Sequence, residues 1–242
     1  MENILIIARR ELKSYFISPI AYAVAFLILF ILGIIFYSNI QFAYLQQFAP
    51  DIRSVLSPLV TLLLFTIPAI TMRSFAEENR AGTLELLLTS PIRDWELILG
   101  KWLGGIGFFL MLLLITGIYP IILSQLVSPG LDLGIVLSSY LGILLVCAVF
   151  ISIGNSVSSF FNNQIAAFFV TLAVLLALWM INILSSSSGN SESLLKWIDL
   201  SERFYGSFFQ GVVSLTDLVY FISLTILGWF IGKVSLESRR WR

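Results

Sequence analysis

The densest grouping of chemically able side chains lies in one stretch, MRSFAEENRAGTLELLLTSPIRDWELILGKWLGG, residues 72–105. It supplies carboxylates at Glu77, Glu78 and Glu85 and a guanidinium at Arg80, with Gly82 and Thr83 between them. It supplies no nucleophile beside a base. The whole chain has no histidine and one cysteine, Cys147, within an apolar run. The commonest general base, the commonest metal ligand and any internal disulfide are thereby excluded. No G-x-x-x-x-G-K-[ST] loop occurs, so no phosphate is cradled by that route. The apolar runs hold no acid or base at depth, as an intramembrane hydrolase or an ion-coupled carrier needs. Asp217 comes nearest, at the edge of the last run. Neither a ring of charges nor a filter loop marks a channel. The 72–105 segment then has the form of a helix–break–helix that could take a push from a soluble motor, or of an interfacial elbow with no partner.

The elements that position this stretch are membrane helices. Of 242 residues 58% are hydrophobic and 12% charged, against roughly 25% charged in soluble domains. A helix crosses the hydrocarbon core with about 20 apolar residues. Six segments reach or approach that length: about 20–37, 55–72, 102–125, 135–157, 164–184 and 215–234. The fold class is all-α integral membrane, one transmembrane domain over residues 1–242. Pro58 and Pro68 should kink or shorten the second span. Gly104, Gly105 and Gly107 open the third, and Pro120 lies near its end. Gly228 and Gly232 in the last form a small-xxx-small spacing, read equally as a packing device or as ordinary membrane-helix glycine.

Residues 1–18 form a basic amphipathic helix for the membrane interface, with Ile4, Leu5, Ala8, Leu12, Tyr15 and Phe16 on its apolar side. Of the 14 Lys+Arg, eleven fall in the N-terminal, 73–101 and C-terminal segments and three (Arg53, Lys196, Arg203) between the others. The positive-inside rule then places both termini in the cytoplasm. Residues 73–101 are cytoplasmic, with Phe75, Leu84, Leu87 and Leu88 on one side. Gly82 marks a bend or a close packing point, Ser90-Pro91 a break, and Asp94 and Glu96 the first turn of the next helix. Residues 185–214 are external. After SSSSGNSES they are too apolar for a solvated loop, so one or two short helices lie on the outer leaflet or shield the helix ends.

The pattern RSFAEENRAGTLELLLTSPI followed by WELILGKWL resembles the region after the second span of ABC-2 type permeases, nearest to the gliding-motility-associated (GldF-like) group. ARRELKSYFISPIAY and GVVSLTDLVYF resemble that group too, so the likeness spans essentially the whole chain. The importer-type EAA signature is absent. The resemblance implies an exporter-like permease fold, not an enzyme, paired with a second permease protomer, same or homologous. It also implies two separate ATPase subunits that bind ATP and Mg, with no cofactor in this chain. Coupling to those subunits is carried over to Glu77, Glu78, Arg80, Gly82, Thr83 and Glu85. An auxiliary membrane or extracytoplasmic subunit is compatible with it, and nucleic acid is not a partner. The expected location is a prokaryotic plasma (inner) membrane. Under alternating access the coupling helix of 73–90 tilts spans one, two and five. The translocation path then runs between protomers past Thr61, Thr66, Asn155, Thr171 and Asn182, although an interhelical hydrogen bond is the commoner use of such asparagines. The competing reading is a mechanical or anchoring component whose external segment 194–212 docks a partner without moving cargo.

Overall fold

The computed structural model describes residues 2–46, 50–84, 92–127, 130–181 and 199–240. The described residues form helices α1 (Glu2–Ile17), α2 (Pro19–Gln46), α3 (Arg53–Thr71), α4 (Ala76–Arg80), α5 (Asp94–Thr116) and α6 (Ile118–Leu126). They continue as α7 (Leu133–Phe160), α8 (Gln164–Trp179), α9 (Leu200–Gly206), a 3₁₀ turn (Phe208–Gln210) and α10 (Leu215–Arg240).

Five helical stretches are long and apolar enough to cross a membrane: Pro19–Leu45, Arg53–Arg80, Asp94–Leu126, Leu133–Phe160 and Leu215–Ser238. The sixth expected span is represented by α8, whose 16 residues rise about 24 Å at 1.5 Å each. That falls short of a core of about 30 Å. The rest of that expected span extends past residue 181, outside the described residues.

Short polar connections start the apolar helices. Asp132 accepts the Gly134 N–H at 2.8 Å, Asn163 the Ile165 N–H at 2.9 Å, and Asp199 the Ser201 N–H at 2.9 Å. Each carboxylate or amide oxygen satisfies a donor that the first helical turn leaves without a partner. α3 runs as one helix through both Pro58 and Pro68, so the expected shortening does not occur. Pro120 does act. It has no N–H to give the Thr116 carbonyl, and the helix is interrupted at Gly117, between α5 and α6.

α7 is the axis of the bundle and packs against α3, α5, α8, α10 and the 3₁₀ turn. Its contact with α10 depends on small side chains. A Cβ at Gly232 would sit 3.1 Å from Ser156 Oγ, and one at Gly228 would collide with Ser152. Ser152 Oγ donates to the Thr225 carbonyl at 2.9 Å, and Ser156 Oγ donates to the Gly228 carbonyl. The GWFIG spacing is therefore a packing device. The described part of the 185–214 segment packs inward: Phe204 and Phe208 are fully buried in the main core, and Phe209 is nearly so. Leu194, Leu195, Trp197 and Ile198 lie outside the described residues.

Candidate functional site: a buried lysine at the foot of the bundle

The polypeptide leaves α3 through Met72–Phe75 and enters α4 without a side chain of its own to cap the new helix. Ser158, near the end of α7, supplies the cap. Its Oγ accepts the N–H groups of Phe75 at 3.1 Å and Ala76 at 3.0 Å, and donates to the Met72 carbonyl at 3.1 Å. Asn79 Nδ2 adds bonds to the carbonyls of Ser159 at 3.4 Å and Phe161 at 3.2 Å. α4 is thus fastened to the end of the central helix by hydrogen bonds from both of its turns.

A second set of small residues brings α1 alongside. Cβ atoms at Gly100 and Gly104 of α5 would fall 2.6 Å from Ile7 Cβ and 2.7 Å from Glu11 Cβ. Only glycine permits that approach. α1 therefore runs beside the first half of α5 and buries Ile7, Glu11 and Tyr15 against it. Leu5, Ile6, Phe16 and Ile17 remain exposed. The buried stripe thus includes an acid, while much of the expected apolar side is left for lipid. The stretch Asp94–Leu126 has 33 residues, about 50 Å of helix, so a core of about 30 Å leaves roughly two turns or more to project at the charged end. α1 packs on that end.

Lys101 lies where α1, α4 and α5 meet. Its side chain is 1% exposed. Nζ donates to the Ser74 carbonyl at 2.6 Å and to Glu78 Oε1 at 2.9 Å, and pairs with Glu11 Oε2 at 3.6 Å. Three partners match the three donors of an ammonium. The ammonium also stands 4.8 Å above the Phe75 ring, a favourable electrostatic placement. Arg10 reaches the same Glu78 oxygen at 3.5 Å but is half exposed, so that pair adds little. Glu11 also bonds the Tyr15 hydroxyl. Burial first, and the Glu11 carboxylate second, push the Tyr15 phenol well above its ordinary range, so it stays a neutral donor. A polar cleft of about 210 Å³ opens beside the lysine, lined by Glu11, Ser18, Arg73, Glu77 and Glu78 among others.

Of the coupling residues expected from sequence, Glu78 joins this centre directly. Glu77 and Arg80 point outward, exposed. Gly82 is exposed, has φ +69° and meets nothing within 4 Å, so it makes a bend and not a close packing point. Thr83 Oγ1 donates to the Glu78 carbonyl at 3.3 Å, closing that bend. Phe75 and Leu84 are buried in one small cluster with Ile7, Leu97, Ile98 and Leu236. Glu85, Leu87, Leu88 and the Ser90-Pro91 break lie outside the described residues. Asp94 and Glu96 occupy the first turn of α5 as expected, with Glu96 Oε2 accepting the Arg93 N–H at 3.1 Å and Asn3 Nδ2 at 3.3 Å.

The expected path residues do not form one polar lining. Thr61 is exposed and bonds the Ser57 carbonyl at 3.4 Å; Thr66 is buried and bonds the Leu62 carbonyl at 2.9 Å. Asn155 and Thr171 are buried with side-chain polar atoms that have no hydrogen-bond partner among the described residues. The interhelical bond expected of Asn155 is not made there. Asn182 lies outside the described residues.

Sequence reasoning missed Lys101, Glu11 and Ser158. Lys101 was counted only for orientation, and Ser158 reads as one more hydroxyl in an apolar run. The available signal was the glycine spacing Gly100, Gly104, Gly107 around the lysine, which marks a face that another helix must approach.

Among the described residues there is no group of three or more metal-binding side chains. A multi-pass helical bundle with a charged, packed elbow between its second and third long helices is the class of a transporter membrane domain. The family model for ABC-2 family transporter proteins matches residues 5–225, and the chain belongs to that family. It is therefore a membrane permease subunit of an ABC transporter, a class that works with ABC ATPase subunits. No curated protein matches the chain.

Proposed function

We propose that this permease is driven through α4 by two ATPase subunits docked beneath it, which bind ATP and Mg, and that it exports cargo between itself and a second permease protomer. The observation that carries the reading is the Lys101 centre. One buried ammonium ties α1, the α3–α4 corner and α5 together through Glu11, Glu78 and Ser74. A push on α4 is then shared by the two longest-projecting elements at that end. Ser158 passes the same push to α7, the helix on which most of the bundle packs. Glu77 and Arg80, exposed on α4, are the contacts offered to the motor. Both termini lie on this same side, which is the cytoplasmic side of a prokaryotic plasma membrane. A largely apolar interior suits a lipid-like or polymeric cargo, and the gliding-associated group is the nearest relative suggested by the sequence.

The test is reconstitution with the ATPase subunits. Glu77→Lys combined with Arg80→Glu should abolish cargo-stimulated ATP hydrolysis while leaving the thermal melt of the permease unchanged. Undiminished stimulation would sink the reading. A mechanical anchor that docks a partner through 194–212 is less well supported, because Phe204, Phe208 and Phe209 are spent inside the bundle.

A further inference from the structure

The polar cleft beside Lys101 does not end in protein. Tyr15 lines both it and a second cavity of about 170 Å³, which is lined by apolar side chains alone: Phe16, Ala21, Ala25 and Leu29 on one side, Phe108 and Leu112 on the other. The groove opens past exposed Phe16, Tyr22, Met111 and Ile115, residues that face the lipid. A polar chamber and an apolar groove, on either side of one aromatic residue near the end of α1, match the two parts of an amphiphile.

The charges narrow the choice of headgroup. Lys101 is engaged by Glu11 and Glu78. Among the described residues no carboxylate engages Arg73: its guanidinium reaches Ser18 Oγ at 3.5 Å, and its buried Nε has no hydrogen-bond partner there. Across the cleft, the buried Oε2 of Glu78 also has no partner, and Glu77 lines the same space. The cleft therefore offers one unspent donor fork for a phosphate and unspent carboxylate oxygens for an ammonium. Glu11, Glu77 and Glu78 are balanced by Lys101, Arg73 and Arg10, which reaches Glu78 from outside the cleft, so an anionic headgroup would leave the site with a net negative charge. A zwitterion would not. A volume of about 210 Å³ exceeds the roughly 30 Å³ share of a water by enough to hold a headgroup.

We propose that the two clefts flanking Tyr15 together seat one phospholipid with a primary-amine zwitterionic headgroup, of the phosphoethanolamine class. Its phosphate lies on Arg73, its ammonium on the unspent Glu78 oxygen, and an acyl chain passes Tyr15 into the groove between α2 and α5. The proposal needs only the membrane location of the chain and is independent of the motor reading above. Held there, the lipid touches α1, α2, α4 and α5 at once, so its headgroup becomes part of the contact that sets the pose of α4.

The experiment is native mass spectrometry of the full-length permease. The protein is taken from nanodiscs holding equal parts ethanolamine, choline and glycerol phospholipid of identical chains. One ethanolamine lipid per chain should persist, at least tenfold enriched over glycerol lipid and several-fold over choline lipid, whose quaternary nitrogen has no hydrogen to donate. Arg73→Gln should remove the enrichment by weakening the phosphate contact. Ala25→Trp should remove it by filling the groove far from the charges, with the melting temperature of each variant checked in detergent. Equal retention of the three lipids, preference for the anionic lipid, or enrichment that survives Ala25→Trp in a folded protein would each overturn the proposal.

Discussion

Two cations, Lys101 fully buried and Arg203 partly so, stand at opposite ends of this bundle, and the same chemistry holds both. Lys101 has carboxylates at 2.9 and 3.6 Å and the Phe75 ring beneath it. Arg203 has Asp217 at 2.8 Å and the Tyr220 ring at 4.4 Å. They differ in what they join. The Lys101 partners come from α1 and the α3–α4 corner, remote in sequence, whereas Arg203 and Asp217 are 14 residues apart. Asp217 also accepts the Ser207 hydroxyl at 2.5 Å, so this second centre pins a short re-entrant turn to the start of its own following helix. One cluster fixes the relation between elements that a motor could shift. The other fixes a corner. A charge cluster at a helix end thus ties distant segments together or staples a local corner according to how far along the chain its members lie.

The sharpest way to break the comparison is to remove each cation. Lys101→Met leaves Glu11 and Glu78 without their buried partner, and breaking such a pair typically costs about 3–5 kcal/mol. The expected outcome is a lowered melt in detergent together with loss of cargo-stimulated ATP hydrolysis by the assembled transporter. Arg203→Met removes a charged hydrogen bond, worth about 1.5–3 kcal/mol. It should lower the melt less and leave the coupling ratio unchanged. If both variants uncouple equally, the distinction between tie and staple fails.

The next effect concerns access to the lysine. At Gly104 an added Cβ would lie 2.7 Å from Glu11 and 3.2 Å from the Ala8 carbonyl. Gly104→Leu must therefore push α1 away from α5, and overpacking of this kind costs about 1–3 kcal/mol. Glu11 would be withdrawn from Lys101 while Glu78 stays. A crosslink by a short thiol-specific bifunctional reagent between cysteines placed at Leu12 and Gly107, whose added Cβ would lie 3.3 Å from Leu12 Cδ1, should form readily in the parent background and poorly in Gly104→Leu. At the other end, Gly142→Leu would meet Phe208 and Phe204 at under about 3 Å, and it should lower the melt without changing that crosslink.

How much of this was legible in the sequence follows from the range of each interaction. The long apolar stretches, the turn at Gly82 and the acids opening α5 are local, and composition and spacing predict them. The interruption at Gly117 follows from Pro120, which withholds one N–H. The uninterrupted α3 does not follow, because tertiary packing overrode two prolines. The Lys101 centre depends on three segments meeting, and no single window contains its charge balance. The resemblance singled out Glu78, which lies at this centre, and said nothing of Glu11, which comes from another helix. The path residues do not share one polar lining within this protomer for the opposite reason. Thr61 and Thr66 satisfy themselves within their own helix, which polarity alone does not reveal.

The smallest effect tests the comparison at the level of helix caps. α9 is capped by its neighbour Asp199, whereas α4 is capped by Ser158, contributed by α7 from far along the chain. Losing an N-cap costs about 1 kcal/mol in either place. Asp199→Ala should therefore fray α9 and accelerate amide exchange at Ser201 and its neighbours only. Ser158→Ala removes the acceptor for two buried N–H groups and the donor to Met72 together. Exchange should quicken not only at Phe75 and Ala76 but along α4, because Asn79 alone would then hold that helix to α7. The melt should shift by similar small amounts in the two variants. Coupling should fall in Ser158→Ala alone, since only there does the lost hydrogen bond join a moving part to the axis of the bundle.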